Sequence, residues 1–253
     1  LSGIGNSLAI TPDGTRGYYA LSTTGELRYL NLTNNTDTDA GASFGAGRGR
    51  MGIDPSGAFG YASAQGGIER FTTPTAGSSV ITSLTVVNAP GTPADLLFTA
   101  RPGGDLAVAA DGSFYILARR GGAGANANDS VLYRGVVAGS TATVGLLGVI
   151  APAAGAANAG FSAMDNNGIA FLGGDVFVVG SNAGQYEMYR VDLDTVTASF
   201  VYRGPAAELL PIDLASCVYP PFAPVIASVK TAAIITPVGA TTGQVGSILE
   251  YTI

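Results

Sequence analysis

A glycine-centred hairpin that recurs four times constrains this chain more than any other feature. Its clearest copy spans residues 105–118, with small, branched and aromatic residues on both sides of Asp111-Gly112. Asp-Gly supports the positive φ angles of a tight turn, so the stretch predicts a strand, a two-residue turn and a second strand. The other copies span residues 7–21, 50–62 and 160–171, with turns at Asp13-Gly14, Ser56-Gly57 and Asn167-Gly168.

The turn glycines Gly14, Gly57, Gly112 and Gly168 lie 43, 55 and 56 residues apart. Further β-rich runs follow each hairpin: residues 26–32, then 68–72 and 80–87, then 130–134 and 143–150, then 176–179, 186–193 and 197–202. Units of about 40 to 50 residues with four short strands each are the pattern of β-propeller blades. Residues 34–49, rich in Thr, Asp and Gly, are expected to form a polar loop between the first two units. A fifth unit starts at residues 212–217, where Asp213-Leu-Ala echoes Asp105-Leu-Ala, and Pro220-Pro221 halts it. The expected fold is therefore all-β, a β-propeller of about five blades, with six possible, over residues 1–219. The strands that complete the last blade are expected from before Leu1 or from another chain.

Residues 220–225 form a Pro-rich connector, and residues 226–253 read as a two-strand extension with a Gly/Thr-rich turn. Two strands do not bury a core alone, so this extension needs a partner sheet. Val229, Lys230, Ile248, Tyr251 and Ile253 are its candidate assembly positions.

Composition narrows the function. Charged residues make up 12% of the chain and Gly numbers 37, which leaves a surface built from Ser, Thr, Asn, Gly and Ala. Such a surface suits a secreted protein or a large assembly. A net charge of −6 repels phosphate backbones, so nucleic acid is not an expected partner. No apolar run of about 18 residues exists, so membrane insertion is not expected either. The chain contains no His, which removes Ser-His and Cys-His nucleophile pairs and His-metal ligation. Its one Cys, Cys217, cannot form an internal disulfide; it is either a buried thiol or a residue awaiting a partner outside this sequence.

A resemblance enters at the C-terminus. The run from Val229-Lys-Thr-Ala to Gly243-Gln-Val-Gly-Ser-Ile-Leu-Glu-Tyr-Thr-Ile253 resembles the opening of the immunoglobulin-like repeat called domain of unknown function eleven. Ser247 stands where that repeat usually has Asp. Bacterial surface and secreted proteins carry such repeats in series, some behind an N-terminal β-propeller that ends near Asp-Leu-Ala-Ser-Cys, here Asp213 to Cys217. The resemblance implies an extracellular setting and no nameable enzyme activity.

Other candidate sites divide between chemistry and structure. Asn35, Asp37 and Asp39 alternate as oxygen ligands for Ca²⁺ would, yet Ala40 and Ala46 stand where the EF-hand pattern needs Gly and Glu. Asp192 and Asp194 form either a carboxylate pair or a turn entry. Tyr18, Tyr19, Tyr61, Tyr115, Tyr133, Tyr186 and Tyr189 are either sheet-packing rings or a sugar-stacking face. Two functions lead, with a hydrolase or lyase third because the chain lacks His and any convergent acidic motif. The first is a non-enzymatic extracellular structural or adhesive protein, a filament or surface-layer subunit joined by strand exchange to copies of itself or to following immunoglobulin-like domains. The alternative is a glycan-binding propeller. No cofactor is required by either.

Overall fold

A computed structural model describes residues 4–45, 49–64, 67–98, 104–121, 129–172, 174–204, 231–236 and 248–252. The chain divides into two compact units, Leu1–Pro221 and Phe222–Ile253. The expected fifth blade start at residues 212–217, the connector at 220–225, and Cys217, Val229, Lys230 and Ile253 lie outside the described residues.

The first unit is all-β. Strands β1 (Ile4–Ile10), β2 (Arg16–Leu21), β3 (Glu26–Asn31) and β4 (Thr36–Ser43) form an antiparallel meander. Strands β5 (Arg50–Ile53), β6 (Phe59–Ala64), β7 (Gly67–Thr72) and β8 (Ile81–Asn88) form a second. Strands β9 (Leu106–Val108), β10 (Phe114–Arg119), β11 (Ser130–Ala138) and β12 (Thr141–Val149) form a third. After the short β13 (Ala151–Pro152) and a 3₁₀ segment (Ala156–Ala163), β14 (Asp165–Leu172), β15 (Asp175–Asn182), β16 (Gln185–Asp192) and β17 (Thr197–Arg203) form the fourth. The first strand of each meander packs beside the first strand of the next: β1 by β5, β5 by β9, β9 by β14. Successive meanders with their innermost strands side by side are the blades of a β-propeller, and four are present among the described residues.

Alternation along the strands explains the stacking. On β10, Phe114, Ile116 and Ala118 enter a core shared with the second blade, and Tyr115 and Leu117 enter one shared with the fourth. A strand that is apolar on both faces lies between two layers, so β10 reads as a continuous apolar run. A third core, with Tyr18, Leu27, Met51 and Phe71, joins the first two blades. Aromatic pairs cross each joint: Tyr18 with Phe71, Tyr61 with Phe114, and Tyr115 with Phe171.

The outer strands are also linked. β8 pairs in parallel with β12, from Thr85↔Thr141 to Asn88↔Val144, and β13 pairs in parallel with β17. These rim pairings tie the second blade to the third and the third to the fourth.

The structure corrects three expectations. The first hairpin turns are longer than two residues. The Gly112 amide donates to the Ala109 carbonyl at 2.9 Å, and the Ala109 amide to the Ser113 carbonyl at 2.7 Å. Only the glycine has positive φ, +78°, so the geometry is a type I turn closed by a left-handed glycine. Gly14 and Gly57 repeat it, donating to Thr11 and Asp54. The second correction is that much of the expected loop at residues 34–49 is β4. Its side chains are polar because the strand lies at the blade's outer edge, and Ala40 is its one buried residue. The third concerns Asn167-Gly168, which is not a turn: β14 runs through it with a register shift between Asn166 and Gly168. The hairpin closes instead at Gly174, between Leu172 and Asp175. Ile169 and Phe171, beyond the shift, are needed in the core shared with the third blade.

The second unit contributes β18 (Thr231–Thr236) and β19 (Ile248–Thr252), an antiparallel ribbon that pairs Ala232 with Tyr251 and Thr236 with Ile248.

Candidate functional site

The first two blades turn from their innermost to their second strands at Pro12-Asp13-Gly14 and Pro55-Ser56-Gly57. Between these turns and the start of the β7–β8 connection lies an open cleft of about 460 Å³. Thr11, Pro12, Asp13 and Arg16 line it from the first blade, and Ser56, Gly57, Ala58 and residues 72–75 from the second.

Both of its charged groups are held in place. Asp13 Oδ1 accepts from Thr11 Oγ1 at 2.6 Å, the Thr15 amide at 3.0 Å and Thr15 Oγ1 at 2.9 Å. The Thr11 hydroxyl, then the Thr15 amide and hydroxyl, pull this carboxyl down to about 2, so it stays ionised. Arg16 Nη1 reaches across the joint to the carbonyls of Pro74 at 2.6 Å and Thr73 at 3.3 Å, and to Tyr18 Oη at 3.0 Å. Its guanidinium also lies over the rings of Tyr18 and Tyr29. Thr73 Oγ1 donates to the Gly57 carbonyl, which ties the cleft floor to the second turn. The walls are hydroxyl groups, two prolines and one charge of each sign.

A different polar set sits on or beside the innermost strands: Ser7 within β1, Arg50 at the start of β5 and Asp105 just before β9. Ser7, Arg50 and Asp105 each stand seven residues ahead of their turn glycine, and all three are buried. Asp105 clamps two blades: Oδ1 accepts from the Leu106 amide at 2.6 Å and Oδ2 from the Ile169 amide at 3.0 Å. Burial pulls the Arg50 guanidinium down to about 10 against the opposing charge of Asp105. In the fourth blade, buried Glu187 accepts from Tyr189 Oη at 2.8 Å, Asn182 Nδ2 at 3.3 Å and Arg203 Nε at 2.7 Å. Burial raises its carboxyl, but these donors and the Arg203 charge outweigh that and leave it below the ordinary range.

The sequence candidates fall as follows. Asp37, on β4, accepts from Arg28 Nε at 3.2 Å and from Tyr19 Oη at 2.7 Å, while Asp39 Oδ1 accepts from the Gly41 amide at 2.7 Å. Asn35 has a positive φ of 57° in the turn before β4. Among the described residues no three His, Cys, Asp or Glu side chains gather where a metal ion could bind. Asp192 Oδ1 accepts from the amides of Asp194 at 2.8 Å and Thr195 at 3.2 Å, which is a turn role. Tyr18, Tyr19, Tyr61, Tyr115, Tyr133 and Tyr189 are buried, while Tyr186 is half-buried and packs at a tilt of 47° against Tyr202. Ile248 and Tyr251 lie on β19. Among the described residues no helix is long and apolar enough to cross a membrane. Sequence reasoning missed the cleft and the buried polar residues of the innermost strands. The shared offset of Ser7, Arg50 and Asp105 from their glycines would have marked the latter.

No protein-family model matches the chain, the immunoglobulin-like repeat included. No curated protein matches it. Solved structures similar to it include the β-propeller domain of Cps50 (Swd1) from Myceliophteria thermophila, with 11% identity, 84% of this chain and 76% of that one covered, and a TM-score of 0.46. Hydrazine synthase of Kuenenia stuttgartiensis shares 10% identity over 80% of this chain and 49% of its own, with a TM-score of 0.46. The periplasmic gluconolactonase of Pseudomonas aeruginosa shares 14% identity over 83% of this chain and 54% of its own, with a TM-score of 0.45. The chain thus spans about half the length of the latter two. The fold assignment rests on the chain's own strand order.

Proposed function

We propose that this chain is a non-enzymatic extracellular structural or adhesive protein. In this reading the propeller is a platform, and the C-terminal ribbon joins it by strand pairing to a copy of itself or to a following immunoglobulin-like domain. The carrying observation is the ribbon. The described residues of Phe222–Ile253 make one two-stranded sheet, and such a sheet is at best marginally stable alone. Among the described residues neither strand pairs with a third, and an open edge of this kind accepts a further strand through main-chain hydrogen bonds. The carboxylates that could serve chemistry are engaged in support: Asp105 on backbone amides, Glu187 on Arg203 and Tyr189.

The test keeps the full chain and breaks the ribbon. Ala233→Pro in β18 removes a backbone donor where the strands pair. Analytical ultracentrifugation is expected to show multimers of the unmodified chain and monomers of the variant, with circular dichroism unchanged. Multimers that persist in the variant, or an unmodified chain that stays monomeric at every concentration, would refute self-assembly.

The cleft favours a second reading, glycan binding, because its lining is hydroxyl-rich and holds one charge of each sign. A broad glycan array with folded protein tests it, and silence across the panel counts against it.

A further inference from the structure

We infer that the cleft between the first two turns is a subsite for a neutral carbohydrate of one or two pyranose rings. This inference rests on the glycan-binding reading and gives it a location.

The polar groups of the cleft are fixed before any ligand arrives. Asp13 is pinned through Oδ1 by three donors, and Oδ2 accepts no hydrogen bond among the described residues. Arg16 is pinned through Nη1 by three acceptors, while Nε and Nη2 make no hydrogen bond among the described residues. One turn therefore presents an acceptor-only group and a donor-only group, each with capacity to spare. A sugar hydroxyl is donor and acceptor at once. One hydroxyl can donate to Asp13 Oδ2 while a neighbour accepts from the Arg16 guanidinium. Both bonds involve a charged partner and are stronger than neutral ones.

Charge selects against other ligands. An anion drawn to Arg16 meets an ionised Asp13, and a cation drawn to Asp13 meets Arg16. Pro12, Pro74, Gly57 and Ala58 add apolar surface for the C–H faces of a sugar ring. The volume of about 460 Å³ falls in the usual range for small-ligand sites. A zwitterionic amino acid would also satisfy one charge of each sign, but it would leave most of such a space and its hydroxyl lining unused. The Thr73–Gly57 tie and the Arg16 contacts fix the walls, which lowers the ordering cost of binding.

The test titrates glucose, galactose, mannose and their disaccharides into the full chain by saturation-transfer NMR and calorimetry. Three variants accompany it. Asp13→Asn weakens the acceptor. Thr75→Trp fills the cleft from an exposed position that makes no side-chain hydrogen bond among the described residues, so it decides the matter if Asp13→Asn folds poorly. Thr143→Trp, exposed on β12 in the third blade, is the control. A sugar is expected to bind the unmodified chain and the control alike, and both cleft variants to lose about tenfold or more in affinity. Sugar binding that all three variants retain would overturn the assignment to this cleft and leave the glycan reading standing. Absence of binding by every sugar in the titration and the array would overturn that reading, and the inference with it. Free amino acids that bind in place of sugars, weakened by the same variants, would overturn the ligand class.

Discussion

The joint between the first and second blades and the joint between the second and third come from the same repeat but close differently. At the latter, β8 and β12 zip in parallel, and the pairing extends through Thr85 N to the Ser140 carbonyl and Ala89 N to the Val144 carbonyl, each at 2.8 Å. The Asn88 side chain accepts from the Phe98 amide at 2.6 Å and so covers the end of that seam. At the former, the Ser79 amide donates to the Ala40 carbonyl at 2.7 Å and Arg16 spans the gap with its side chain. The reason lies in the edge strands. Residues 85–88 and 141–144 carry β-branched Thr and Val and no charge, whereas β4 offers Asp37 and Asp39 at its edge. At the first joint one backbone bond and the Arg16 side chain make the tie, and the cleft opens beside Arg16.

The largest effect should come from the zipped joint. Ile116 is fully buried in the core of the second and third blades. Ile116→Ala is expected to cost about 2–5 kcal/mol, read as a lower urea midpoint of one cooperative transition. A loss below about 1 kcal/mol would mean that this joint does not anchor the unit. Removing the side-chain tie should cost less. Arg16→Ala deletes three hydrogen bonds from a half-exposed guanidinium, and about 1–3 kcal/mol is expected. Its signature is local: amide exchange should quicken around residues 72–80 and stay unchanged along β9 and β10. Equal acceleration in the third blade would erase the distinction between the joints.

The contrast also marks what a reader of the sequence can see. Three turns were legible because a glycine at positive φ leaves a local signature in Asp13-Gly14, Ser56-Gly57 and Asp111-Gly112. Asn167-Gly168 carries the same signature, but tertiary demand overrides it: the core needs Ile169 and Phe171, and the register shift absorbs the mismatch. β4 escaped notice because an outer strand facing water has no apolar alternation to display. The parallel rim pairs left no local trace, since which edges meet depends on how blades stack. The cleft was hidden for a similar reason. Arg16 meets Thr73 and Pro74 only after two blades pack, across 57 and 58 residues of chain. Composition narrowed the chemistry, but it could not bring those groups together.

The smallest expected effect separates the turns themselves. Asp13 in the first turn is held low by neutral donors, first the Thr11 hydroxyl and then the Thr15 amide and hydroxyl. Burial raises Asp111 in the third turn, but the Ser113 hydroxyl and amide and the Arg134 charge outweigh it, and Arg134 Nη2 donates to Oδ2 at 2.8 Å. Both carboxyls lie below their unfolded value, so each adds stability that is present above that value and lost as pH falls through the folded one. For Asp13 the window runs from 3.8 down to about 2. The gap in melting temperature between the unmodified chain and Asp13→Asn should therefore be constant above about pH 5, narrow as pH falls through 3.8, and close only as it reaches about 2. Salt then distinguishes the two turns. Hydrogen bonds from neutral hydroxyls are insensitive to it, and a half-exposed ion pair is screened. Raising ionic strength from about 0.05 M to about 1 M at pH 7 should shrink the Asp111→Asn gap and leave the Asp13→Asn gap in place. Equal shrinkage at both positions would mean that Asp13 is stabilised by the nearby Arg16 charge, and that the first turn is held by ion pairing as the third is.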